Sequence, residues 1–184
     1  MTSTTRKVVT VGVMGAVSIF LGASHWGFVP WLAGAALTVM HVPVIVGAIL
    51  EGPWVGVAIG AIFGGFSLLQ GAIAPTGPAD VWFTNPLVSI LPRLFIGPVA
   101  WLVYRALRRT SEPAALAIAA VSGSLTNTVL VLTVLGLLRF LPWAIIATIA
   151  VTNGLPEAIL AAVITVAVIA AWKRIGIGRE GSTV

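Results

Sequence analysis

The sequence predicts an all-α integral membrane protein with six transmembrane helices. Of its 184 residues, 59% are hydrophobic and only 8% are charged, and the mean hydropathy is +1.10. An ordinary soluble domain is about 45–50% apolar and about 25% charged. The length has room for about five to seven spans with their connections, and for no separate soluble domain. We therefore predict a single transmembrane domain over residues 1–184.

Breakers and basic clusters divide the chain into six apolar segments. The first helix follows Arg6 and Lys7, and Glu51-Gly52-Pro53 separates the second from the third. A signal peptide also begins with basic residues before an apolar run, but the rest of the chain is equally apolar, which favours an uncleaved first helix. The predicted helices cover residues 7–24, 32–50, 54–73, 87–108, 113–138 and 144–173.

The basic residues predict the orientation of these helices. With a cytoplasmic N-terminus, one basic residue, Arg139, falls in an outside loop. Eight fall on the cytoplasmic side: Arg6, Lys7, Arg105, Arg108, Arg109, Lys173, Arg174 and Arg179. Because basic residues accumulate in cytoplasmic loops, both termini are predicted to be cytoplasmic.

The predicted outside connections are rich in aromatic residues. Residues 24–31, 73–85 and 139–143 contain Trp26, Trp31, Trp82, Phe83 and Trp143. Aromatic side chains at a membrane interface commonly serve as anchors. Covering a ligand at the outer surface is the alternative, and the sequence leaves both open.

Small residues recur at helical spacing in two segments. Gly52, Gly56, Gly60 and Gly64 share one face of the third helix, where a neighbouring backbone is expected to pack closely. In the first helix, Gly12 and Ala16 form a pair four residues apart, with Gly15 beside them. This face either packs inside the bundle or docks a separate membrane subunit.

Two ionisable residues lie within predicted spans, Arg93 in the fourth helix and Glu157 in the sixth. Charged residues inside a membrane are costly, and they are candidates for function. In one interpretation the two side chains form a salt bridge. In the other, Arg93 faces a cavity and binds a carboxylate or phosphate, which its planar fork of donors suits. Both hold if Glu157 releases Arg93 when a ligand binds.

Neutral polar residues form a second group of candidates. Asn127 with Thr126 interrupts the fifth helix, Asn153 interrupts the sixth, and Asn85 stands at the entry of the fourth. An amide in hydrocarbon must find a partner or line a wet cavity. Because the predicted topology places all three asparagines in the outer half of the membrane, they predict a shared binding pocket.

Several function classes are excluded or disfavoured. The chain has no cysteine, and neither His25 nor His41 has a second ligand at metal-binding spacing. No phosphate-binding loop, nucleophile elbow or carboxylate pair is present, so we predict no metal, no cofactor and no enzymatic activity. The net charge of +5 is attributed to topology and lipid headgroups rather than to nucleic acid.

Three stretches resemble the S-components of energy-coupling factor (ECF) transporters. They are the run from Thr38 to Pro53, Leu91-Pro92-Arg93-Leu94 with Gly97, and Gly123 with Thr126-Asn127-Thr128. The resemblance extends from about Arg6 to Lys173. It implies a vitamin-capture subunit in the plasma membrane of a prokaryote. Such a subunit binds its vitamin from outside, docks on a transmembrane coupling subunit with two cytoplasmic ATPases, and topples to release the vitamin inside.

The resemblance also implies roles for particular residues. Gly12 and Ala16 match the Ala-x-x-x-Ala docking motif of the family, with glycine at its first position. Met40-His41-Val42-Pro43-Val44-Ile45 is most similar to the pantothenate-specific members. The substrate-binding residues are then expected to be Arg93, Asn85, Asn127, Asn153, Glu157, Trp82, Trp26 and Thr126. Alternative vitamins are lipoate, folate, riboflavin and the thiamine pyrimidine. A self-sufficient channel or secondary transporter and a membrane enzyme are the alternative classes.

Overall fold

The structure is a computed structural model that describes residues 2–30, 36–75 and 78–180, with side chains described for 2–28, 37–75 and 79–173. Trp31, Arg174 and Arg179 of the sequence predictions lie outside the residues whose side chains are described. The described chain is almost entirely helical. Its elements are α1 Ser3–Ala23, β1 Phe28–Pro30, β2 Ala36–Thr38, α2 Val42–Glu51, α3 Pro53–Ile73, a 3-10 helix Pro78–Thr84, α4 Pro86–Ser89, α5 Leu91–Leu107, α6 Glu112–Leu137, α7 Trp143–Ile149, a π-helical turn Ala150–Gly154 and α8 Leu155–Glu180.

The helices confirm the predicted class of all-α membrane protein. Within the described ranges, five helical segments are long and apolar enough to cross a membrane. They are Ser3–Ala23, Pro53–Ile73, Pro86–Leu107, Glu112–Leu137 and Trp143–Lys173, and the shorter apolar helix α2 is the sixth segment.

The second predicted helix, 32–50, is wrong over residues 36–41, which are the described residues of that range that precede α2. Residues 36–38 form β2, which pairs antiparallel with β1 so that Phe28 lies opposite Thr38. Helix α2 begins only at Val42, with Pro43 in its first turn, where a missing N–H costs no helical hydrogen bond. A short apolar run that is not interrupted by polar residues is compatible with a buried strand and with a helix. The side chains from Val42 to Ile49 are all buried, so α2 lies inside the bundle.

Two other predicted helices are interrupted near a proline. The fourth, 87–108, divides at Ile90 into α4 and α5, with Pro92 in the first turn of α5. The sixth, 144–173, contains the π-helical turn just before Pro156. Since proline lacks an N–H and clashes with the preceding turn, a regular helix cannot continue unchanged through these points.

The predicted glycine face of α3 packs against α4 and α5, as confirmed by backbone contacts at three of its four positions. A Cβ added at Gly56 would lie 2.7 Å from Cα of Gly97, and one at Gly64 would lie 2.7 Å from the carbonyl oxygen of Ser89. A Cβ at Gly60 would overlap the carbonyl oxygen of Arg93. Gly52 differs, because its φ of +105° makes the turn between α2 and α3. The glycines thus set the position of the backbone that carries Arg93.

Candidate functional site

A cavity of about 110 Å³ lies where the β-hairpin, the C-terminal half of α3, the 3-10 helix, the start of α5 and the middle of α6 meet. Aromatic and polar side chains line it together. The lining residues are Phe28, Thr38, Met40, Phe63, Ser67, Gln70, Gly71, Asp80, Phe83, Arg93 and Asn127. An apolar wall with a few convergent polar groups is the usual form of a small-molecule site.

Arg93 supplies a buried cation to this cavity. It is 5% exposed, and one terminal guanidinium nitrogen donates a hydrogen bond to the carbonyl oxygen of Val88. The guanidinium carbon lies 5.3 Å from the ring centroid of Phe63 and 5.1 Å from that of Phe83, so both rings make cation–π contacts. Its Nε has no hydrogen-bond partner among the described residues. Arg93 therefore retains donor capacity for a ligand anion.

Asn127 brings an amide to the same cavity from α6. It is 6% exposed, and its Oδ1 atom has no hydrogen-bond partner in the described part of the chain. Its neighbour Thr126 faces elsewhere: the hydroxyl donates to the Ser122 carbonyl oxygen at 2.7 Å, and the residue lines an apolar groove beside Phe95. Successive residues on a helix point in different directions, so a triplet read together in sequence separates in space. Of the predicted residues, Arg93 and Asn127 are the two that the structure brings together in the cavity lining.

Four further lining residues, the last of them Gly71, come from α3 and were missed by the sequence analysis. Phe63, Ser67 and Gln70 have spacings of four and three residues, which put them on one helix face. Ser67 and Gln70 are polar residues in an otherwise apolar span. Polar residues in an apolar span are a recognisable sign of a site, but the glycine pattern of this helix predicted a packing role alone.

The salt bridge between Arg93 and Glu157, one of the two interpretations of these charges, is not formed. Glu157 is 6% exposed, and its Oε1 atom accepts the backbone N–H of Thr38 at 2.7 Å. The Thr128 hydroxyl of α6 donates to the Ser124 carbonyl oxygen of its own helix at 3.3 Å. Glu157 is also not among the described residues that line the cavity. Its hydrogen-bond partner is the backbone of β2 rather than the guanidinium.

The other two predicted asparagines lie outside the described cavity lining. Asn85 caps α4, because its Oδ1 atom accepts the backbone N–H of Leu87 at 3.0 Å. Asn153 lies in the π-helical turn, where the Thr152 hydroxyl is 3.4 Å from its Oδ1 atom. In this conformation both amides have local structural contacts.

The two predicted tryptophans also lie away from the described cavity lining. Trp26 is 77% exposed and meets the ring of Phe20 edge to face. Trp82 stacks on Phe140, with ring centroids 6.4 Å apart. Phe83, the residue after Trp82, contacts the Arg93 guanidinium instead.

The small residues of α1 separate into two faces. Gly15 is buried, and a Cβ added there would lie 2.8 Å from the Ile62 side chain of α3. Gly12 and Ala16 are exposed on the outer face, and a Cβ added at Gly12 would meet no atom of the described chain within 4 Å. Gly15 therefore packs inside the bundle, whereas Gly12 and Ala16 leave a smooth face for another partner or for lipid.

Comparison with known proteins identifies the family to which this chain belongs. The family model described as "ECF transporter, substrate-specific component" matches residues 6–169. The pantothenic acid transporter PanT of Lactococcus lactis subsp. cremoris is 30% identical over 156 residues, covering 74% of this chain and 78% of PanT. The family comprises substrate-binding components of vitamin transporters and is not catalytic, and its members are multi-pass proteins of the prokaryotic plasma membrane. The chain belongs to the substrate-specific components of ECF transporters.

Proposed function

We propose that this chain captures pantothenate from the outside of the cell and delivers it by docking on the transmembrane coupling subunit of an ECF transporter. The observation that carries the choice of ligand is the buried guanidinium of Arg93 at the cavity, with a free Nε donor. Neither of the ion pairs found among the described residues includes Arg93, and a carboxylate vitamin would supply its anion. The relative PanT is named for pantothenic acid, which supports the same choice.

The remaining lining residues suit the rest of pantothenate. The vitamin has a carboxylate at one end, a central amide, and two hydroxyl groups near a pair of methyl groups. Asn127 and Gln70 offer amides, Ser67 offers a hydroxyl group, and Phe28 offers an apolar surface for the methyl groups. Arg93 holds the carboxylate end.

The energetics require more than the charged contact. Nanomolar binding corresponds to about −12 kcal/mol, and one charge-assisted hydrogen bond contributes about 1.5–3 kcal/mol. Burial of the vitamin must therefore supply much of the affinity. The cavity of about 110 Å³ is smaller than ordinary ligand pockets, which measure roughly 300–1,000 Å³, so it widens when the vitamin enters. Covering of the bound vitamin by Trp26, Trp82 or Trp143 remains a prediction.

Ligand-induced stabilisation of the purified chain tests the choice of vitamin. A ligand that binds only the native state stabilises it by about 4 kcal/mol at 1,000 times its dissociation constant. We expect pantothenate to raise the melting temperature in detergent, and lipoate, folate, riboflavin and the thiamine pyrimidine to leave it unchanged. Stabilisation by one of the other four, without any by pantothenate, would overturn the choice of vitamin within this family.

The outer face of α1 is proposed to dock on the coupling subunit, which works with two cytoplasmic ATPases. Gly12→Leu and Ala16→Leu are expected to leave vitamin binding within about twofold and to reduce ATP-dependent uptake to background, because a bulky side chain prevents close helix approach. The matched control is Ala167→Leu, an exposed alanine of α8. Uptake is measured in proteoliposomes with the complete transporter, and the chain alone is expected to give no flux. Normal uptake by both α1 variants would contradict this docking surface.

A further inference from the structure

Glu157 joins α8 to β2 at one wall of the cavity. It lies in the first turn of α8, directly after the π-helical turn, and it is 6% exposed. Its carboxylate accepts the backbone N–H of Thr38 in β2 at 2.7 Å. Thr38 and Glu157 are 119 positions apart in the sequence, so this hydrogen bond is a long-range tertiary contact.

This hydrogen bond positions residues that line the cavity. Thr38 lines it and lies opposite Phe28, a second lining residue, in the hairpin. The Thr38 hydroxyl also accepts a hydrogen bond from the backbone N–H of Met40, a third lining residue, at 3.4 Å. On the other side, α8 packs against α6, the helix that presents the Asn127 amide. The Glu157 carboxylate therefore holds the hairpin wall to α8.

On the basis of the proposed function, we propose that Glu157 is a positioning residue for vitamin binding, which anchors the Thr38 wall of the cavity without touching the vitamin. What the anchor needs is an acceptor oxygen at the position of Oε1. Both a carboxylate and an amide oxygen can accept the N–H of Thr38. A hydrocarbon side chain leaves that N–H without its acceptor in a buried setting and releases the strand.

Substitution at Glu157 separates positioning from direct contact. Glu157→Gln keeps an acceptor, and it is expected to bind pantothenate within about fivefold of the unchanged protein. Glu157→Leu removes the acceptor, and it is expected to weaken binding about 10- to 100-fold, the factor typical of one lost hydrogen bond to a charged group. Glu112→Leu is the control, since that glutamate is exposed and contacts Lys173 and Tyr104 instead.

Amide hydrogen exchange provides a local measurement that does not depend on the ligand. In Glu157→Leu, the peptide containing Thr38 is expected to exchange at least about tenfold faster, while peptides from α3 and α5 keep their protection. Restored protection in Glu157→Gln would show that the acceptor oxygen, and not the charge, holds the strand.

The outcomes distinguish this inference from the proposed function. If the unchanged protein binds pantothenate and Glu157→Leu binds it equally well, the positioning role is wrong. If Glu157→Gln loses as much affinity as Glu157→Leu while Thr38 exchange is unaltered, Glu157 contacts the vitamin directly and the inference is also overturned. If the unchanged protein binds no pantothenate, the proposed function fails, and the exchange at Thr38 still decides whether Glu157 anchors the strand.

Discussion

Replacing Arg93 with alanine is expected to raise the dissociation constant for pantothenate at least about 100-fold. A charge-assisted hydrogen bond contributes about 1.5–3 kcal/mol, or roughly 10- to 150-fold in affinity. The loss is expected at the upper end, because the vitamin carboxylate would be left buried without a counterion beside Phe63 and Phe83. Arg93→Lys is expected to restore only part of the affinity, since an ammonium group lacks the planar fork of donors. Calorimetry on the purified chain measures the dissociation constants.

An alcohol analogue of pantothenate separates a charge contact from a folding defect. In this analogue a hydroxymethyl group replaces the carboxylate, so it makes no ion pair with Arg93. The unchanged protein and Arg93→Ala are expected to bind it with affinities within about fivefold of each other. The control variant is Arg105→Ala, because Arg105 is exposed and stacks on Trp101 at the far end of the same helix. Equal affinity for pantothenate in Arg93→Ala and in the unchanged protein would remove Arg93 from the site.

Replacing Gly60 with alanine is expected to damage both stability and binding. The added Cβ would overlap the carbonyl oxygen of Arg93, and backbone atoms have little freedom to move away. Overpacking of this kind typically costs about 1–3 kcal/mol. For a domain of this size, the cost corresponds to a fall in melting temperature of roughly 2–12 °C. Because the clash displaces the turn that carries Arg93, pantothenate affinity is expected to fall at least about tenfold as well, as measured below the new melting temperature.

Gly65 provides a matched control on the same helix. A Cβ added at Gly65 meets no atom of the described chain within 4 Å. Alanine in a helix interior is about 0.5–1 kcal/mol more favourable than glycine, so Gly65→Ala is expected to retain or slightly raise the melting temperature and to bind normally. A Gly60→Ala variant that melts and binds like Gly65→Ala would show that the close approach of α3 and α5 does not set the Arg93 position.

The sequence predicted the features that depend on one strong local signal. Long apolar runs located five of the spans, and the cost of a charge in a membrane singled out Arg93. The four-residue glycine spacing predicted a close helix contact, and the structure places that contact between α3 and α5. These signals follow from a residue type and its spacing, without knowledge of the three-dimensional neighbours.

The remaining features depend on contacts between distant parts of the chain. The strand at 36–38 is as apolar as a helix would be, and pairing with 28–30 decides its conformation. Glu157 was one possible partner for Arg93 because both are charges within predicted spans, but its carboxylate accepts a backbone N–H of β2 instead. Ser67 and Gln70 could have been predicted as site residues, because they are polar side chains in an apolar span. They were not predicted, because the glycine spacing of α3 was interpreted as a packing signal alone. Asn85 is the opposite case. It was predicted to be a site residue, but an asparagine before a proline is also a common helix N-cap, and Asn85 caps α4.

Calorimetric titration of pantothenate into the purified chain, without coupling subunit or ATPases, tests the central claim most directly. A solitary capture subunit with a preformed cation in its cavity predicts one site per chain and a dissociation constant in the nanomolar range, near −12 kcal/mol. Absence of binding heat at several temperatures, from protein whose cooperative unfolding shows that it is folded, would contradict the claim that this chain alone captures pantothenate.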